Sequence, residues 1–204
     1  MKKVLFYIFS IIIVIGCADA GKKRYTISGT IPGHDYDNEW IYLVPFKGTT
    51  AKTVDSIQIK DGSFTFKGVV DTPDIRILRI RHILKPKIQE LLVVVEQGSL
   101  NVSLDSVSSA HGTPQNDILQ QWKEEKIKTD SKIFSLSKQM IAASAQTVMD
   151  SIEHEQAQIR ELFNEYNYNM VKASGFNAVG SFIYDISEHS FTTEQKYTLD
   201  KLKN

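Results

Sequence analysis

The pattern of apolar and polar positions changes character near Pro114. Before it, short runs alternate with a period of two, the signature of a strand with one buried face. Tyr25, Ile27, Gly29 and Ile31 alternate with Thr26, Ser28 and Thr30. Phe64, Phe66 and Gly68 alternate with Thr65 and Lys67, and Leu100, Val102 and Leu104 with Asn101 and Ser103. Trp40 to Phe46, Ile75 to Ile83 and Leu91 to Val95 are more continuous apolar runs, and Val54 to Ile59 alternates more weakly. Asp61-Gly62 predicts a tight hairpin, because glycine accepts the positive φ such a turn needs, and Gln97-Gly98 predicts a second turn. About seven strands at roughly ten-residue spacing predict an antiparallel β-sandwich or partly open barrel over residues 24–113. The intervals are too short for βαβ crossovers.

After Pro114 the period lengthens. Gln115 to Ser174 holds neither Gly nor Pro, in a chain with 11 Gly and 5 Pro, which predicts helix. Ile118, Trp122, Ile133, Leu136 and Met140 fall near one helical face. Val148, Ile152, Ile159, Leu162, Tyr166 and Met170 form a second stripe. Thr147-Val148-Met149-Asp150 reads as a capping box, so a break is expected between Ala142 and Thr147. The two stripes hide each other if the helices fold back as a hairpin; one continuous helix would span roughly 90 Å and leave them wet. Gly175 is expected to end the second helix, Asn177 to Ile186 to form a third, and Thr192-Thr193-Glu194-Gln195 to cap a last one carrying Tyr197, Leu199 and Leu202. The expected class is α+β, with an antiparallel β domain over 24–113 and a small helical domain over 114–204.

The first residues are of another kind. Met1-Lys2-Lys3 precedes an almost wholly apolar run from Val4 to Ile15. A dozen residues of helix reach roughly 18 Å, short of a membrane span, so residues 1–16 read as a signal peptide. The run ends in Val14-Ile15-Gly16-Cys17, which resembles the bacterial lipobox. That resemblance implies a diacylglycerol thioether on Cys17, cleavage before it and acylation of the new amino group. Two or three acyl chains anchor a protein stably, with residues 17–23 as the tether. Ala18 follows the cysteine, so the common inner-membrane retention signal is missing, as is an acidic export tract. The expected location is the cell envelope, on the outer membrane facing the periplasm.

Charge adds little. The 204 residues carry 24 Lys+Arg against 24 Asp+Glu. Loss of Lys2 and Lys3 with the leader leaves a net charge of −2, so no attraction to nucleic acid is expected. One cysteine excludes an internal disulfide, a CxxC pair and a multi-cysteine zinc site.

The stretch Val54-Asp55-Ser56-Ile57-Gln58-Ile59-Lys60-Asp61-Gly62-Ser63-Phe64-Thr65-Phe66-Lys67-Gly68, followed by Pro73, resembles an uncharacterised domain (domain of unknown function 4369) of Bacteroidetes lipoproteins. Tyr25 to Gly29, Ile41 to Leu43, Gly112 to Asn116, Asn177 to Gly180 and Phe191 to Gln195 resemble other pieces of the same proteins, in the same order. In those proteins a thioredoxin-like domain of the peroxiredoxin and thiol–disulfide oxidoreductase group follows. The sequence ends at Asn204, where that domain is expected to start, and it carries no cysteine pair. The family's redox activity therefore transfers to no residue.

Other chemistry is sparse. His34, His82, His111, His154 and His189 show no metal-clamp spacing. Gly175 to Ser181 outlines a phosphate loop but lacks its Lys and follows a helix, so it reads as a helix–helix turn. Asp35 with Asp37, and Glu124 with Glu125, are carboxylate pairs expected in loop or helix-surface settings. Arg76, Arg79, Arg81, His82, Lys85 and Lys87 fall in an acid-free stretch. Arg79 and Arg81 share a strand face and are candidates for holding an anionic headgroup or sugar acid. The alternative is pairing with acids such as Glu90 or Glu96. No cofactor is expected. The functional expectation is a non-enzymatic, lipid-anchored binding or interaction module. The alternatives are an accessory subunit that docks a thioredoxin-fold partner through Phe191 to Leu202, or the remnant of such an enzyme.

Overall fold

The computed structural model describes residues 21–80 and 88–203. Eight strands precede four helices: β1 Arg24–Thr30, β2 Trp40–Pro45, β3 Asp55–Gln58, β4 Ser63–Val69, β5 Asp74–Ile80, β6 Leu91–Val95, β7 Gly98–Ser103 and β8 Ser109–His111. The helices are α1 Pro114–Ala142, α2 Gln146–Ser174, α3 Ala178–Ser187 and α4 Thr193–Lys203, with a 3-10 turn at Glu188–Ser190 between the last two. The strands form two four-stranded sheets, ordered β4-β1-β7-β8 and β3-β2-β5-β6. The architecture is thus α+β, with a β-sandwich first and helices after it.

The alternating positions of β1, β4 and β7 meet inside the sandwich. Ile27, Ile31, Phe64, Phe66, Leu100, Val102 and Leu104 pack there against Ile41, Leu43, Leu78, Leu91, Val93 and Val95 of the second sheet. Lys60 and Ser63 exchange both backbone hydrogen bonds across Asp61-Gly62. Both turn residues have positive φ, 49° and 61°, as a two-residue hairpin requires. One pairing departs from the antiparallel expectation: β1 and β7 run parallel, with Ile27 opposite Leu100. Strands so far apart in sequence need no hairpin between them, so either direction is open. The eighth strand, Ser109–His111, is three residues long and too short for periodicity to reveal.

The two sheets differ on their outer faces. That of β4-β1-β7-β8 carries Thr26, Ser28, Thr30, Thr65, Ser99, Asn101 and Ser103, and none of these is buried. The outer face of β5 and β6 lies under the helices, where Ile75 and Val94 join Leu119, Trp122, Val171, Val179, Phe182, Ile183, Phe191 and Leu199, while Trp40, Ser56 and Gln58 on β2 and β3 stay exposed. This explains why Leu91–Val95 is apolar without alternation: both of its faces are covered.

The helices fold back as expected, and the break between α1 and α2 lies at residues 143–145. Its chemistry differs. The N-cap is Ala145 and carries no side-chain cap, so Thr147 lies inside the helix. The buried stripe of α2 is also rotated from the apolar pattern. Ile152 is buried, but Val148 and Leu162 are exposed, while Gln156 and Asn167 face inward. Polar pairing accounts for this. Trp122 Nε1 donates to Asn167 Oδ1 at 2.9 Å, and Gln156 Nε2 donates to Ser137 Oγ at 2.9 Å. Buried polar groups must find partners, and these two pairs set the register of the hairpin. At α4 the expected box forms: Thr192 N–H donates to Gln195 Oε1 at 2.9 Å, and Gln195 N–H to Thr192 Oγ1 at 3.2 Å.

Candidate functional site

Cys17 and Arg81 lie outside the described residues, as do His82, Lys85 and Lys87. Arg79 is on β5, paired across the sheet with Tyr42 of β2. Its guanidinium reaches Glu90 at 3.1 Å, and its Nε is buried without a hydrogen-bond partner. Arg76 has the opposite strand parity and turns to Asp74 at 3.3 Å and to the Thr53 carbonyl at 3.4 Å. Arg76 and Arg79 therefore do not form one surface. Glu96 serves Gln115, accepting from its backbone N–H at 2.8 Å and its side chain at 3.0 Å.

Among the described residues, one trio brings three potential metal-ligand atoms within 4.8 Å of one another: His34, Asp37 and Asp61. The sequence separates the third from the first two, and the hairpin turn at Asp61-Gly62 brings it back. Asp37 is already occupied: Oδ1 accepts from Gly62 N–H at 2.8 Å, and Oδ2 lies 2.8 Å from His34 Nδ1. The Gly62 hydrogen bond, then His34, holds the Asp37 carboxyl below its ordinary range. The trio reads as a polar clasp between the β1–β2 loop and the β3–β4 hairpin.

A cleft opens where the sandwich meets the helices, with a volume of about 390 Å³. Its walls are Phe46 after β2, Pro73 and Ile75 of the β4–β5 region, and Phe176, Ala178 and Phe182 at the start of α3. Local sequence builds each wall. Pro45 ends β2 and leaves Phe46 at the rim, edge-on to Phe182 with ring centroids 5.2 Å apart. Gly175 closes α2 at a φ of 60°, and Asn177 opens α3 by accepting the Gly180 N–H at 2.9 Å. The polar groups at the rim serve one another: Lys47 contacts Asp185 at 2.5 Å, and Ser181 donates to the Phe176 carbonyl at 3.0 Å. What is left to a visitor is a mostly apolar slot with a charged lip. The cleft is not legible in the sequence, because its walls come from three separated segments.

The seam between α1 and the sandwich explains why the two parts hold together. Asn116, buried at 1% exposure, accepts from Val94 N–H at 2.8 Å and donates to the Val94 carbonyl at 2.7 Å. Its amide thus replaces a missing ninth strand at the free edge of β6. Gln120 accepts from Ala110 N–H of β8 at 3.2 Å. Lys123 Nζ donates to the Leu92 carbonyl at 3.3 Å. Burial pulls Lys123 down to about 8, against a smaller opposing pull from Glu124. The first turns of α1 therefore cover open edges of both sheets, which would otherwise invite pairing with other chains.

The tail expected as a docking surface uses Phe191 and Leu199 in the helical core and leaves Tyr197 and Leu202 exposed. Among the described residues no helix is long and apolar enough to cross a membrane. No curated protein and no solved structure matches the chain. A family model described as a domain of unknown function (DUF4369) matches residues 25–119. That span runs from β1 into the first turns of α1, so it includes the edge-covering Asn116. Residues 25–119, the sandwich and the turns that seal it, thus match the family model of that domain of unknown function.

Proposed function

We propose that the chain is a lipid-anchored envelope protein that acts as a binding module, without turnover of its own, and that the cleft beside α3 receives its ligand. The observation that carries this reading is the cleft itself. Its walls are Phe46, Pro73, Phe176 and Phe182, while Lys47, Asp185 and Ser181 serve one another or the backbone. Such a slot selects by shape and apolar contact. The anchor rests on the lipobox-like Val14-Ile15-Gly16-Cys17.

Two measurements test the two halves. Metabolic labelling with an alkynyl palmitate should mark the wild-type chain and not Cys17→Ala; equal labelling overturns the anchor. Ligand-observed NMR of the purified chain against small aromatic and aliphatic compounds should give binders that Phe46→Ala loses. Binders indifferent to Phe46, or catalytic turnover of any of them, overturns the cleft reading.

A second reading is docking of a thioredoxin-fold partner in trans. What supports it is the exposed pair Tyr197 and Leu202 on α4, with Lys201 Nζ 4.2 Å from the Tyr197 ring centroid. Capture of such a protein from membranes by the wild type, and not by Tyr197→Glu, would favour this reading over the first.

A further inference from the structure

The outer face of α1 carries an apolar stripe that nothing among the described residues covers. Ile127, Phe134 and Ile141 are 43%, 61% and 86% exposed. They recur every seven residues, so they line one face of the helix over about 21 Å. The inward face of the same helix is a different set, Trp122, Thr129 and Leu136. The stripe is therefore surplus to the α1–α2 packing.

We propose that this stripe pairs with its own copy, as two antiparallel α1 helices related by a two-fold axis at Phe134. The pattern is self-complementary about that residue. Ile127 and Ile141 lie seven positions to either side, so an antiparallel copy sets Ile127 on Ile141 twice and Phe134 on Phe134. Asp130 and Lys138 lie four positions to either side, so each acid meets the base of the other copy. An isologous contact needs this matching.

Within one copy, Asp130 rests against Lys126 at 2.7 Å, and Lys138 Nζ lies 4.4 Å from the Phe134 ring centroid. Both charges are thus already aligned along the stripe. The patch is short, so the contact belongs to the small, transient class.

Sedimentation velocity of the purified full chain in neutral detergent reads the equilibrium directly. The wild type should pass from monomer to dimer as concentration rises, and Phe134→Glu should remain monomeric with an unchanged far-UV CD spectrum. Asp130→Lys and Lys138→Asp should each weaken the dimer about tenfold, and the double exchange should return it to within about threefold of the wild type. A wild type that stays monomeric up to about 1 mM overturns the proposal. So does a double exchange no better than the single ones. Wild-type monomers whose binding to anionic vesicles depends on Phe134 would assign the stripe to a membrane instead.

Discussion

Replacing Asn116 by Leu removes one side chain and strands two backbone groups. The Val94 N–H and C=O both face the Asn116 amide, at 2.8 and 2.7 Å, and Val94 and Asn116 are both 1% exposed. Leucine has a similar volume, so little cavity opens, but no partner remains for either group. A buried backbone donor or acceptor left unpaired costs about 1–3 kcal/mol, so the pair costs about 2–6 kcal/mol. For a domain of this size that lowers the midpoint of thermal unfolding by roughly 6–18 °C. Urea denaturation followed by far-UV CD gives the free energy. Amide hydrogen exchange should show faster opening at Val94 than at Leu43 in the middle of the same sheet. Asn116→Asp keeps the acceptor for Val94 N–H but sets a buried carboxylate against the Val94 carbonyl, so its penalty should shrink on acidification. A loss below about 0.5 kcal/mol for Asn116→Leu, or an Asp variant indifferent to pH, would refute the edge-sealing role.

Two further substitutions probe other parts of the fold. Lys123 has a folded-state value near 8 against an ordinary 10.5, so between those values the unfolded chain binds more protons and stability rises with pH. The wild type should gain on Lys123→Met by about 1–2 kcal/mol between about pH 7 and pH 9.5, with the variant the more stable at the lower end; parallel pH profiles would contradict this. Gly29 lies opposite Phe64 in the β1–β4 ladder, and a Cβ there would come within 1.9 Å of the Phe64 ring. Gly29→Ala should therefore cost about 1–3 kcal/mol by displacing a core aromatic, and a Gly29→Ala, Phe64→Leu double variant should be less than additive.

Hydrophobic periodicity made some elements readable and hid others. The strands β1, β4 and β7 each have one wet face, so their alternation survives in the sequence and their inward residues were foreseen. β6 lies between the sandwich core and the helices, so its apolar run says that it is buried but not against what. The α2 stripe was misplaced because Gln156 and Asn167 look like surface residues until Ser137 and Trp122 are seen to satisfy them. Thr147 looked like a cap, whereas the chain turns two residues earlier at Ala145. The cleft, the His34–Asp37–Asp61 clasp and the Asn116 edge seal were illegible for a shared reason: each joins segments that only the fold brings together.

By itself the sequence determined the division into a strand half and a helix half, and the match of residues 25–119 to a domain of unknown function. These follow from local composition and from periods of two and about three and a half, which a linear reading can measure. The tertiary structure alone decided that β1 runs parallel to β7 and that helices cover β5 and β6 of one sheet while the other keeps a hydroxyl-rich face. It also decided that α1 seals open strand edges while leaving Ile127, Phe134 and Ile141 outside. Pairing direction and choice of covered face depend on which buried groups find partners at long range, and no local pattern encodes that.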